Sequence, residues 1–159
     1  MFIFDRPKTF FVLIALISAG ALAMAFVAQY AFGLHPCLLC LYQRWPFGAA
    51  IVFSLLGWAG WTRTGAALAG ITFAGNAALA FYHSGVERKW WPSVFEGCAV
   101  PDLGSDPNKL LETIMNAPAV RCDEIPWADP ILGLSMANLN VGLCAGLALL
   151  CAAFLATRK

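Results

Sequence analysis

Apolar residues run along this chain in four long stretches: Thr9 to Phe32, from near Leu41 to near Trp61, Ala66 to Tyr82, and Leu132 to Ala156. A helix rises about 1.5 Å per residue, so about 20 residues cross roughly 30 Å of hydrocarbon. Each stretch meets or approaches that length; the third is short but sufficient. None contains Asp or Glu, and the only Lys or Arg is Arg44, near one end of the second. The pattern predicts four membrane spans, over about 9–32, 41–61, 66–82 and 132–156, within a single domain 1–159. The expected fold is all-α, an integral membrane four-helix bundle.

The first stretch has a rival reading as a secretory signal peptide, with Arg6 and Lys8 as its basic start and Ala21-Leu22-Ala23 or Ala23-Met24-Ala25 as its cleavage site. The apolar run continues through Phe26, Val27, Tyr30 and Phe32, too far for a signal core, so a retained span is expected. Arg6 and Lys8, Arg63 between spans two and three, and Arg158 and Lys159 fall on one side, which the positive-inside rule makes cytoplasmic. Loops of about 33–40 and 83–131 then lie outside. The long loop holds four basic residues and eight of the nine acidic ones. Within it Asp106-Pro107 resembles a helix start, and Leu110, Leu111, Ile114 and Met115 repeat at helical spacing. That spacing predicts a short amphipathic helix, lying on the membrane surface or packed on the loop itself. Trp45, Trp58, Trp61 and Trp127 stand at or near span ends, where indoles favour the interface. Ala66, Gly70, Ala74 and Ala78 place small residues on one face of span three, a pattern that allows close packing.

Composition agrees with the hydropathy. Hydrophobic residues make up 60% of the chain and charged ones 12%, about half the charge of a soluble domain. A net charge of +1 gives no reason to expect a nucleic-acid partner.

The six cysteines sharpen the picture. Cys37, Cys40, Cys98 and Cys122 lie outside, where disulfides persist. Cys144 and Cys151 lie within span four, where cysteine acts as a small hydrophobe and no redox role is expected. Cys37-Leu38-Leu39-Cys40 is a C-x-x-C, a spacing shared by structural disulfides, metal half-sites and redox pairs. Starting a helix near Pro36 puts these thiols in the first turn, where the helix dipole favours thiolate. Arg44 follows Cys40 by four residues, on the same helix face, and is placed to stabilise the Cys40 thiolate and bind a carbonyl oxygen of an acceptor. Its bland alternative is an arginine that snorkels to headgroups. Cys98 and Cys122 could form a structural staple worth about 3 kcal/mol, or exchange with the first pair. Zinc is the competing use of four thiols, but the second pair lacks a short knuckle, and no metal is expected. A c-type haem needs His where Leu41 stands.

The run Pro36-Cys37-Leu38-Leu39-Cys40-Leu41-Tyr42-Gln43-Arg44 resembles the first outer loop and second span of the DsbB family. So do Cys122-Asp123-Glu124-Ile125-Pro126-Trp127 and Leu132-Gly133-Leu134-Ser135-Met136-Ala137-Asn138-Leu139-Asn140. The resemblance covers nearly the whole chain. It implies a bacterial inner-membrane, multi-pass thiol:quinone oxidoreductase with cytoplasmic termini and periplasmic redox loops. Its partner would be a periplasmic DsbA-like thioredoxin-fold oxidase, which attacks the loop disulfide at Cys98. Thiols at Cys98 and Cys122 would then reduce Cys37–Cys40, and Cys40 would donate to ubiquinone or menaquinone beside Arg44. The family's quinone-side histidine falls near His83. A vitamin K epoxide reductase-like protein is the alternative enzyme, but its C-x-x-C comes late in the bundle. A scaffold with two structural disulfides is the non-enzymatic one, and Arg44 one turn below Cys40 argues against it. The segment Gly85–Pro92 resembles an alphaproteobacterial-type branch, which raises the possibility of a dedicated partner.

Overall fold

The computed structural model describes residues 6–95, 98 and 120–158. Four helices follow in chain order: α1 (Pro7–Tyr30), α2 (Leu38–Trp58), α3 (Thr62–Glu87) and α4 (Met136–Thr157). All four are long and apolar enough to cross a membrane. The all-α four-helix bundle that hydropathy predicts is present. The expected helix around Asp106–Met115 lies outside the described residues.

Local chemistry sets the helix ends. Pro7 opens α1, where its missing N–H has no partner to lose. Ser135 caps α4 reciprocally: its side chain accepts from the Asn138 N–H, and the Asn138 side chain accepts from the Ser135 N–H. α2 is capped by a cysteine, whose sulfur accepts from the backbone N–H of Cys40 at 3.3 Å. The hairpin between α2 and α3 closes on glycine. A Cβ on Gly65 would stand 2.7 Å from the Gly57 backbone, and one on Gly57 would enter the Phe11 ring.

Three expectations change. Span three does not end with its apolar run at Tyr82; the helix continues to Glu87, carrying His83 and an acidic residue into the bundle. Hydropathy registers where apolar residues stop, not where backbone hydrogen bonding stops. Span four begins at Met136 rather than Leu132. Before it, Asp129 holds a turn: its carboxylate accepts from the N–H groups of Ile131 and Leu132, and Gly133 takes a positive φ of 65°. The small-residue stripe is not the packing face of α3, because Ala74 and Ala78 are exposed. Steps of four overshoot a turn by about 40° each, so the stripe drifts off. The buried face runs instead through Ala66, Ala69, Phe73, Asn76, Ala80 and His83, in steps of three and four.

The up-and-down path gives the bundle two unlike ends. At one, the start of α1 meets the end of α4, with Phe10 stacked on Phe154 at 4.1 Å between centroids. At the other, a second buried cluster gathers Cys37, Leu39, Val86, Cys98 and Cys122.

Candidate functional site

The second cluster is where the sequence-predicted cysteines meet. Cys37 and Cys40 are free, with sulfurs 3.0 Å apart. Cys98 and Cys122 are bonded to one another. The backbone joins the two halves of that loop as well, through the Cys122 N–H donating to the Cys98 carbonyl at 2.9 Å. Both sulfur pairs share one apolar cluster, against which Tyr82, Trp91, Phe95 and Val120 pack. Cys98 and Cys122 are fully buried, which differs from a loop holding Cys98 ready in solvent. The aromatic residues that follow α3 explain the burial: Trp91 stacks on Tyr82 and donates its Nε1–H to the Tyr82 carbonyl.

Beneath the dithiol lies a hydrogen-bonded core. His83, on α3, is buried, with Nε2 3.5 Å from the Cys37 sulfur and Nδ1 2.9 Å from Gln43 Nε2. Gln43 Oε1 accepts from Asn140 Nδ2 at 2.6 Å, so its amide nitrogen points at the imidazole. An amide N–H donates, so Nδ1 accepts and the ring proton sits on Nε2, facing Cys37. Asn140 in turn accepts from the Cys144 thiol at 3.2 Å, and Asn76 donates to the Gln43 carbonyl at 3.2 Å. One turn beyond His83, at the end of α3, Glu87 Oε1 stands 3.8 Å from Nε2, and its other oxygen accepts from the Ser135 hydroxyl.

Cys37 precedes the membrane-spanning part of α2, and its thiol is held far below the ordinary cysteine range. The hydrogen bond with the Cys40 sulfur contributes most, and the His83 ring and the Cys40 N–H add to it against the opposing effect of burial. The first turn of α2 thus separates its two thiols. Cys37 is the one that the helix N-terminus and the imidazole favour as thiolate.

Arg44 turns away from this centre. It donates to Gln29 Oε1 at 2.7 Å and, more weakly, to the Ala25 carbonyl at 3.4 Å, and it lies over the Phe26 ring. All three are on α1. The expected Arg44–Cys40 contact is replaced by an α1–α2 contact, because the short side-chain path to Gln29 satisfies a charge that is costly in the membrane. His35 is exposed and bonds to the Gly33 carbonyl at 2.9 Å. Sequence reasoning missed Glu87, Asn76, Asn140 and Ser135. The available signal was polar residues at helical spacing in apolar segments: Asn76, His83 and Glu87 stand seven and four apart on one face of α3.

The family model described as "Disulfide bond formation protein DsbB" matches residues 7–154. A disulfide bond formation protein B from Xanthomonas oryzae pv. oryzae (strain MAFF 311018) is 34% identical, covering 94% of this chain and 91% of the relative. Another from Aromatoleum aromaticum is 32% identical, covering 99% and 96%. A Rickettsia prowazekii protein named only as uncharacterized is 31% identical, over 86% and 81%. With its paired cysteines at one end of a four-helix membrane bundle, the chain belongs to the DsbB family of disulfide bond formation proteins.

Proposed function

We propose that this protein re-oxidises a periplasmic thioredoxin-fold dithiol oxidase and passes the electrons to a membrane quinone. One observation carries the reading: a loop disulfide and a free C-x-x-C dithiol share a single buried cluster beside an imidazole. Two unrelated structural bridges would have no need of that neighbour. In the exchange, the partner's thiolate attacks the Cys98 sulfur, the Cys98–Cys122 bond breaks, and Cys122 leaves as thiolate. The partner's second thiolate then releases oxidised partner and reduced Cys98. The loop thiols pass their electrons to an oxidised Cys37–Cys40 bond by the same chemistry. His83, with its Nε2–H toward Cys37, stabilises negative charge on that sulfur as the bond opens. Because the loop disulfide is buried, docking of the partner must part the Tyr82–Trp91–Phe95 cover.

The electron acceptor is a substrate, ubiquinone or menaquinone, and supplies two-electron, two-proton chemistry. The donor set at Arg44 suits a quinone carbonyl: five guanidinium N–H groups, two accounted for by Gln29 and Ala25, beside the aromatic Phe26. The cavity at the dithiol measures about 20 Å³, room for one water-sized group and too small for a quinone ring. Orientation with both termini cytoplasmic places the cysteine end in the periplasm, as the positive-inside rule requires.

The test is a trap. In Cys122→Ser, Cys98 lacks its resolving thiol, so a partner offered as an activated mixed disulfide should stay linked to Cys98 on a non-reducing gel. Mass spectrometry of the linked peptide identifies the sulfur. Linkage through Cys37 or Cys40 would overturn the assignment of Cys98, and no linkage at all would favour a structural staple.

A further inference from the structure

The sequence weighs zinc against four outer cysteines and finds the second pair unsuitable. The bundle assembles a different donor set. Cys37 Sγ, Cys40 Sγ and a ring nitrogen of His83 all lie within 4.8 Å of one another. In a tetrahedral zinc site, with bonds of about 2.3 Å to sulfur and about 2.0 Å to nitrogen, ligand atoms stand about 3.5 Å (S to N) and about 3.8 Å (S to S) apart. Here Cys37 Sγ is 3.5 Å from His83 Nε2, and the two sulfurs are 3.0 Å apart. The nitrogen edge already fits; the sulfur edge opens by a small rotation of either thiol.

The surroundings meet the other requirements of a metal site. The donors line a cavity of about 20 Å³, the size of a single small occupant, whose wall also includes Glu87 and Trp127. Glu87 Oε1 stands 3.8 Å from the ligating nitrogen, and Ser135 fixes the carboxylate's second oxygen. Gln43 faces the other ring nitrogen; with the metal on Nε2 the ring proton moves to Nδ1, and the Gln43 and Asn140 amides turn in step so that the Gln43 oxygen accepts it, as acceptors orient metal-bound histidines.

We propose that, when the C-x-x-C pair is reduced, Cys37, Cys40 and His83 bind one zinc ion, which holds the dithiol unavailable for electron transfer until the ion is withdrawn. Binding forms two Zn–S bonds and one Zn–N bond: the protons still on the two sulfurs leave, the His83 ring proton moves from Nε2 to Nδ1, and no electrons move. Oxidation to the disulfide removes both thiolates, so the site exists only in the reduced state. The ion is therefore a reversible brake whose grip depends on the redox state. The inference rests on the dithiol being the reactive pair, as proposed above.

The experiment uses full-length protein in detergent, reduced with a phosphine, desalted, and titrated with zinc chloride against a chromophoric chelator. A Cys98→Ser/Cys122→Ser background removes the loop thiols. One zinc per chain is expected in that background, none in the oxidised parent, and none after Cys37→Ser or Cys40→Ser. His83→Ala should weaken binding by at least about tenfold and Glu87→Gln by less, in the range of outer-partner effects. Cobalt(II) in place of zinc should give a thiolate charge-transfer band that disappears with Cys37. If His83→Ala does not fold, the oxidised–reduced comparison and Cys40→Ser carry the same decision. Absence of zinc from the reduced protein, or equal binding after Cys37→Ser, overturns the site. Quinone reduction without zinc tests the redox reading separately. A parent that turns over yet binds no zinc refutes the brake alone. A parent that binds zinc yet never reduces quinone keeps the site and refutes the redox reading.

Discussion

The two ends of the bundle are held together by different physics. At the Phe10 end the helices meet through rings: Phe10 on Phe154, Phe11 edge-on to both, and Phe47 against Phe73. Alanine, leucine and the Cys144 and Cys151 thiols fill the spaces between. At the Cys37 end the helices meet through hydrogen bonds of Gln43 with His83 and Asn140 and of Ser135 with Glu87, beside the two sulfur pairs. Packing of the first kind is tolerant and nonreactive; it gives helices a place to stand. Hydrogen-bonded groups away from water are costly unless fully partnered. Their concentration at one end coincides with the chemistry proposed above, and the ring-packed end is the platform that keeps their geometry.

The contrast breaks most sharply under exchange of cysteines between the ends. Cys37→Ser or Cys40→Ser should reduce partner-driven turnover to background, a loss of at least about a thousandfold, since release and transfer both need a second thiolate in reach. Cys151→Ala, at the other end, should leave turnover within about twofold of the parent, because that thiol only fills space. Steady-state turnover per folded protein decides it, and a redox defect in Cys151→Ala would show that the centre is misplaced.

Phe154→Ala should do the reverse. Removing a fully buried ring that touches both Phe10 and Phe11 costs about 3 kcal/mol or more. Thermal unfolding in detergent should shift downward while turnover per folded molecule holds. Arg44→Ala should raise the quinone KM about tenfold, a loss of about 1.4 kcal/mol, and leave thiol exchange at Cys98 intact. Unchanged kinetics across a quinone titration would return Arg44 to a purely structural α1–α2 contact.

Cys144 sharpens the boundary between the ends. It belongs to the ring-packed cluster, yet its sulfur accepts from Asn76 at 3.3 Å and its thiol donates to Asn140. Cys144→Ala should therefore cost about 1 kcal/mol, slightly more than Cys151→Ala, measured as the difference in unfolding midpoints.

The smallest expected effect lies in the loop. Asp123 is held below the usual carboxylate range, chiefly by its hydrogen bonds with Arg121, one of them at 2.8 Å. A depressed carboxylate adds stability above its unfolded value, near pH 3.9, and loses it as the pH falls through the lower folded value. The pair is solvent-screened, so its loss below about pH 4 should only modestly increase alkylation at Cys122 after reduction. Asp123→Asn should abolish that acid dependence.

Much of this was legible in the chain. Four apolar runs announced four helices, because lipid requires them, and Cys37-Leu38-Leu39-Cys40 announced its position at a helix start. Span bounds were less legible: α3 runs on through His83 and Glu87, where hydropathy falls but hydrogen bonding continues. Spacing puts Arg44 on the Cys40 face of α2, whereas its guanidinium bonds to Gln29 and Ala25 on α1. Spacing of four fixes a helix face, whereas a long side chain chooses among partners on the next helix, here Gln29. The role of His83 beside Cys37 depends on how α2 and α3 face each other, which no local pattern encodes. The bonded Cys98 and Cys122 match the pairing that the family resemblance implies. Their burial does not follow from a proline-rich, charged loop; it comes from Trp91 and Phe95 folding over Tyr82.

The central claim is that electrons entering at the loop disulfide leave through the Cys37–Cys40 dithiol to a quinone. The direct measurement mixes purified protein, a reduced thioredoxin-fold oxidase and a quinone, following quinone absorbance and partner thiols together. The account predicts one quinol formed for each partner disulfide, with no quinol in the Cys37→Ser/Cys40→Ser variant. Quinol formation that survives in that variant, or partner oxidation without matching quinol, would contradict it.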